Sequence, residues 1–220
     1  MKQVHFETPI APGLPDDFES QCASLVNDKQ GDYRDYLDVE YLNCGKYSDI
    51  YRTGNYVVKL STLNTGAGTM RGAENLIHQG TFLHGLNKFV EREDVSDVRA
   101  PAQYFAMQSG NRGLLVQEFM ESWTTAREKY GQKPLDDQIE VCVNYKERIE
   151  NLAKQLPALM GLGLDDLRGD GYRIHMSNIL VRPDSDLPAT DEPLRIIDQS
   201  GGNGPKSWLA SKAASQIIKA

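Results

Sequence analysis

Two short runs carry the residues best suited to chemistry: Tyr172-Arg-Ile-His-Met-Ser-Asn178-Ile-Leu-Val and, after a polar insert, Leu194-Arg-Ile-Ile-Asp198. An Asn ends a polar loop before one strand-like run, and an Asp ends the next. Strands that finish this way set a neutral and an anionic oxygen side by side, the hard donors magnesium takes when it bridges nucleotide phosphates. Read for structure alone, each is an Asx turn at a strand boundary, and it is their joint placement that favours the metal reading. His175, three residues before Asn178, is read as orienting the loop rather than as base or metal ligand, since His5, His78 and His84 fall in other elements.

Lys59 ends the apolar run Tyr56-Val-Val-Lys, behind a turn that carries Gly45-Lys-Tyr47-Ser48. A cation on such a strand can meet the α- and β-phosphates of a nucleotide while the preceding hairpin covers them with backbone donors. A single glycine makes that hairpin a poor phosphate loop, and a solvated strand-end lysine is the plain alternative. Glu74, fifteen residues on and early in an expected helix, could form the ion pair that aims Lys59; a first-turn acid favoured by the helix dipole is the other reading. Gln79 on the same helix is the fallback.

Those residues need a core to hold them, and 220 residues with 40% hydrophobic and 25% charged content supply one domain or two small lobes. A net charge of -7 and the lack of any basic run argue against capture of nucleic acid or an anionic membrane. No apolar run approaches the roughly 20 residues that span a bilayer, so a soluble cytoplasmic protein is expected. Cys22, Cys44 and Cys142 are widely spaced and odd in number, which predicts reduced structural thiols.

The pattern predicts a Pro- and Asp-rich N-terminal arm (1–37) with a short helix from Asp16 to Asn27. A β-rich lobe (38–120) follows: a three-stranded meander, a helix over Met70 to Leu86, then two strands around Ser109-Gly-Asn. The rest (121–220) reads as a long helix from Asp136 to about Gly161, the polar loop, a short hairpin and a last amphipathic stretch, Trp208 to Ile218. Residues near Glu118 to Ser122 read as the hinge.

Gly45-Lys-Tyr-Ser-Asp-Ile-Tyr, Val57-Val-Lys59, His175-Met-Ser-Asn178-Ile-Leu and Ile196-Ile-Asp198 together resemble the protein kinase-like superfamily in its compact phage and bacterial-effector versions. They are similar to the early serine/threonine protein kinase domain of short-tailed coliphages, with G-x-F-S-x-x-Y, V-I-K, D-M-H-S-G-N-I-M and I-T-D in this order. The resemblance spans roughly Leu42 to Gly202. It implies an α+β, two-lobed kinase-like fold, with a five-stranded antiparallel N-lobe, one helix and a truncated helical C-lobe. It further implies ATP and Mg2+ as ligands, Lys59 as the phosphate lysine, Glu74 as the helix glutamate and Asn178 and Asp198 as magnesium ligands. Gly45, Tyr47 and Ser48 would then cover the phosphates, Gln117, Glu118 and Met120 would face adenine, and bacterial host proteins would be substrates or partners.

Two departures bear on activity. Arg173 stands where the resembling loop has its aspartate base, and a guanidinium cannot accept a hydroxyl proton near neutral pH. Only 22 residues follow Asp198, too few for an activation segment. Three readings follow: a phosphotransferase in which Asp170 or Asp166 replaces the base, an inactive pseudokinase that occupies a partner, and a nucleotidyl transferase holding ATP reversed.

Overall fold

The computed structural model describes residues 1–6, 14–28, 32–44, 48–61, 69–94, 97–164, 167, 175–197 and 205–219. The chain divides into two units, Met1–Gly80 with Ala102–Met120, and Thr81–Pro101 with Glu121–Ala220. The first is built on an antiparallel sheet and the second mainly on helices, an α+β arrangement.

In the first unit the strands are β1 (Lys2–His5), β2 (Glu40–Cys44), β3 (Ser48–Thr53), β4 (Tyr56–Ser61), β6 (Gln103–Ser109) and β7 (Arg112–Glu118), in sheet order β1-β6-β7-β4-β3-β2. The expected sheet had five strands; the sixth comes from the N-terminal arm, which pairs antiparallel with β6 from Lys2 opposite Gln108 to His5 opposite Phe105. Four residues too polar to signal a strand gain a full ladder of backbone bonds there, which outweighs their weak propensity. The arm's helix α1 (Phe18–Asn27) buries Phe18, Cys22, Leu25 and Val26 against Tyr56, Val58, Leu114 and Val116. So the arm's helix is part of the core.

Alternation then divides β4 by face. Tyr56, Val58 and Leu60 join the cluster with α1, which leaves Val57, Lys59 and Ser61 on the opposite face. That face receives α2 (Thr69–Glu93), whose Leu76 and Ile77 pack on Ala106 and Leu115. The helix comes unusually close: a Cβ on Gly113 would lie 2.6 Å from the Ala73 backbone. Ser61 Oγ accepts the buried Gly113 N–H at 2.8 Å and holds the strand there.

In the second unit, a four-stranded sheet runs β5-β10-β9-β8, from β5 (Val98–Arg99), β8 (Thr124–Thr125), β9 (Ile179–Val181) and β10 (Leu194–Ile196). The expected hairpin is β9 with β10; β5, parallel to β10, and β8, antiparallel to β9, extend it. Val98, Ile179, Val181, Leu194 and Ile196 share a core with Phe82, Leu86 and Val90 of α2 and with Tyr145, Ile149 and Leu152 of a later helix.

The helices here are α3 (Ala126–Tyr130), α4 (Leu135–Gln155), α5 (Ala158–Gly161) and α6 (Pro205–Lys219). The single helix expected from Asp136 to Gly161 is two, because Pro157 forces Leu156 to extended backbone, φ -68 and ψ 148. α3 opens with a capping box in which Thr125 Oγ1 accepts the Glu128 N–H and the Glu128 carboxylate takes the Thr125 N–H. Hydrogen bonds from Thr124 and Thr125 hold that carboxyl below its ordinary value.

Candidate functional site

The first unit contributes Lys59. Its register opposite Leu115 points it at α2, and it is buried, with 5% of its surface exposed. Its ammonium donates to Gln79 Oε1 at 3.2 Å, and Gln79 is equally buried. The partner expected first was Glu74, and this is corrected. Glu74 lies on the exposed side of α2, where its carboxylate is 3.7 Å from His78 Nε2 one turn on. Five residues separate Glu74 from Gln79, about 500° of helix, so the two cannot share a face.

Gln117 shares this face. It stands opposite Val57 on one side and Gln103 on the other, in the row next to Lys59 and Leu115. Only 3% exposed, it keeps a side-chain carbonyl with no hydrogen-bond partner among the described residues. A buried amide left this way is costly unless a ligand completes it. Glu118 instead accepts the Ala102 N–H at 3.1 Å, a local brace, and Met120 is the last residue of the unit. Ser48 opens β3, half-buried; Gly45 and Tyr47 lie outside the described residues.

The second unit contributes Asn178. It ends a 3-10 turn, Met176–Asn178, and its N–H bonds to the His175 carbonyl at 2.8 Å. Its own carbonyl accepts the Ile197 N–H at 3.1 Å. So the backbone of Asn178 lies against the residue that precedes position 198, as adjacent strand ends require. The Asn178 side chain is half-buried and makes no hydrogen bond among the described residues, so its oxygen is open to a ligand. His175 is exposed and contributes backbone only, its N–H reaching the Leu167 carbonyl at 3.4 Å. Asp166, Asp170, Arg173 and Asp198 lie outside the described residues.

A cluster that sequence reasoning missed braces this hairpin. Glu192, fully buried in the insert between β9 and β10, receives Lys129 Nζ at 2.5 Å, Tyr130 Oη at 2.7 Å and Tyr145 Oη. Lys129 also donates to the Arg182 and Ser185 carbonyls at 2.7 and 3.1 Å. Burial would lower the Lys129 ammonium, but the Glu192 carboxylate outweighs it and the net shift is upward. Burial first, and then the bond to Glu192, raises Tyr145 well above its ordinary range. The only sequence signal was an acid in a Pro-rich insert, which reads as a solvated turn.

Taken one unit at a time, the first holds a buried cation and, on the same sheet face, a buried amide carbonyl without a hydrogen-bond partner among the described residues, and the second holds a half-buried Asn side chain at a strand end. Among the described residues no group of three or more His, Cys, Asp or Glu converges, and no helix is long and apolar enough to cross a membrane.

No family model matches the chain, and no curated protein sequence matches it significantly. Among solved structures it is similar to "WaaP in complex with acyl carrier protein", with a TM-score of 0.46 and 15% identity over 97% of this chain and 79% of that one.

Proposed function

We propose that the protein is a kinase-fold binder of ATP and magnesium with a degenerate catalytic loop, a Ser/Thr kinase-like phosphotransferase acting on host proteins. The observation that carries this reading is Lys59, buried on the α2 face of the sheet and held by the neutral Gln79. A lysine on that face of a sheet is placed to meet the phosphates of a nucleotide.

In this reading Lys59 takes the α- and β-phosphates and backbone donors from Gly45 to Ser48 cover them. The Gln117 amide meets the base, with the backbone to Met120 beside it. Asn178 and Asp198 would supply the oxygens for magnesium. ATP with its metal supplies the transferable phosphoryl group, and the protein contributes position and charge. Asp170 or Asp166 would take the hydroxyl proton that Arg173 cannot.

Arg173 at the base position also favours a second reading, a pseudokinase that binds ATP and occupies a partner without transfer. The test is incubation with γ-labelled and α-labelled ATP and a bacterial lysate, for wild type, Lys59→Ala, Asp198→Ala and Arg173→Asp. Transfer of γ-label that Asp198→Ala abolishes supports the kinase; transfer by Arg173→Asp alone supports the pseudokinase. Transfer of α-label would make it a nucleotidyl transferase, and the lack of any ATP-dependent thermal shift would exclude all three.

A further inference from the structure

The small sheet of the second unit has one face in the core and one outside it. Val98, Leu194, Ile196, Ile179 and Val181 are fully buried, so the residues that alternate with them point the other way. Cross-strand register then lines up Arg99, Arg195, Leu180 and Thr125 across β5, β10, β9 and β8, a row about 15 Å long at the usual strand spacing. Trp123 and Arg182 extend it by one residue. The guanidinium groups of Arg182 and Arg195 each lie 5.0 Å from the Trp123 ring centre, and Arg195 is further fixed by the Asp97 and Leu194 carbonyls at 3.2 and 3.0 Å. Arg182 is exposed, the others are half-buried, and neither Arg99 nor Arg182 is ion-paired among the described residues.

We propose that this sheet face docks an acidic segment of a partner protein. Arg99 and Arg182, without an ion pair among the described residues, give this face positive charge in a chain of net charge -7, and that contrast decides the sign of the partner. The whole-chain charge disfavours nucleic acid, whose affinity comes chiefly from neutralising many phosphates. A row about 15 Å long that mixes Trp123 and Leu180 with the arginines suits an extended polypeptide. Arginine and tryptophan are the side chains that most often carry protein contacts, and stacking on Trp123 fixes Arg182 and Arg195 before the partner arrives. The surface stands on these contacts alone and does not depend on the nucleotide reading.

The probe is a labelled peptide of about twelve residues, rich in Asp and Glu with one central Leu, titrated into the full chain at low salt and followed by anisotropy. Trp123 emission, isolated in a Trp208→Phe background, reports the contact directly, because the chain has two tryptophans. Binding should weaken roughly tenfold or more in Arg99→Glu/Arg182→Glu, whose unchanged melting temperature would show that the fold is kept. A Lys-substituted peptide should gain on that variant. Equal binding by wild type and double variant, equal binding of an Asn/Gln peptide, tighter binding of oligothymidylate, or competitive displacement by ATP with magnesium would each overturn the proposal. Loss of ATP binding in Lys59→Ala, with peptide binding kept, would separate this surface from the nucleotide site.

Discussion

Lys59 and Gln79, twenty residues apart in the chain, meet in the interior of the first unit with the ammonium nitrogen 3.2 Å from the amide oxygen. The carboxylate of Glu74 is turned away to His78. The partner that α2 offers Lys59 here is therefore an uncharged amide.

Removing that partner should be felt. Gln79→Leu strips an acceptor from a buried ammonium and should cost about 1–3 kcal/mol in urea unfolding. Glu74→Ala, at an exposed site, should stay within about 0.5 kcal/mol and leave ATP affinity unchanged. Equal effects of the two would reinstate Glu74 as the partner.

Glu192 should be among the most sensitive polar positions. Glu192→Leu leaves Lys129 buried without its anion and frees two tyrosine hydroxyls, for a loss of about 3–5 kcal/mol. Because the Glu192 cluster holds the insert that joins β9 to β10, a partial variant such as Glu192→Gln should also weaken magnesium binding if the proposed role of Asn178 holds. Titrating magnesium by calorimetry on the folded variant reads this apart from stability.

The same cluster predicts alkaline lability. Tyr130 and Tyr145 are raised above their ordinary 10.0, burial being the main cause in both. Lys129 is raised above 10.5 by Glu192 against burial. Raised folded values mean that the stabilisation is complete below about pH 10 and is lost as pH rises past it, when the unfolded chain gives up protons the native state keeps. Urea midpoints between pH 8 and 11 should fall, and Tyr145→Phe should flatten part of that fall.

Close approach of α2 to the sheet makes Gly113 specific. Gly113→Ala would set a methyl 2.6 Å from the Ala73 backbone and should cost about 1–3 kcal/mol. Gly110→Ala has open space but a φ of 59°, so strain alone should cost about 1 kcal/mol. Thermal unfolding of both variants checks the order.

The sequence made the alternating strands legible, because Tyr56-Val-Val-Lys and its partners carry a period of two with turn residues between them. It also placed Lys59 on a strand and Asn178 at the head of one. Polar elements were hidden: Lys2–His5 is a strand only because β6 offers it an edge. Thr124–Thr125 and Val98–Arg99 are too short for a pattern. Gln79 was named only as a fallback, since charge pairing ranks an acid above an amide until the helix phase is known. Glu192 and Trp123 gave no usable signal, because their partners lie up to 72 positions away in the chain.

Calorimetric titration of ATP with magnesium into wild type and Lys59→Ala tests the central claim most directly. Saturable one-site binding in wild type that is lost in a folded Lys59→Ala, and that weakens without magnesium, is the predicted result. Wild-type affinity in Lys59→Ala, or no binding by the wild-type chain, would contradict it.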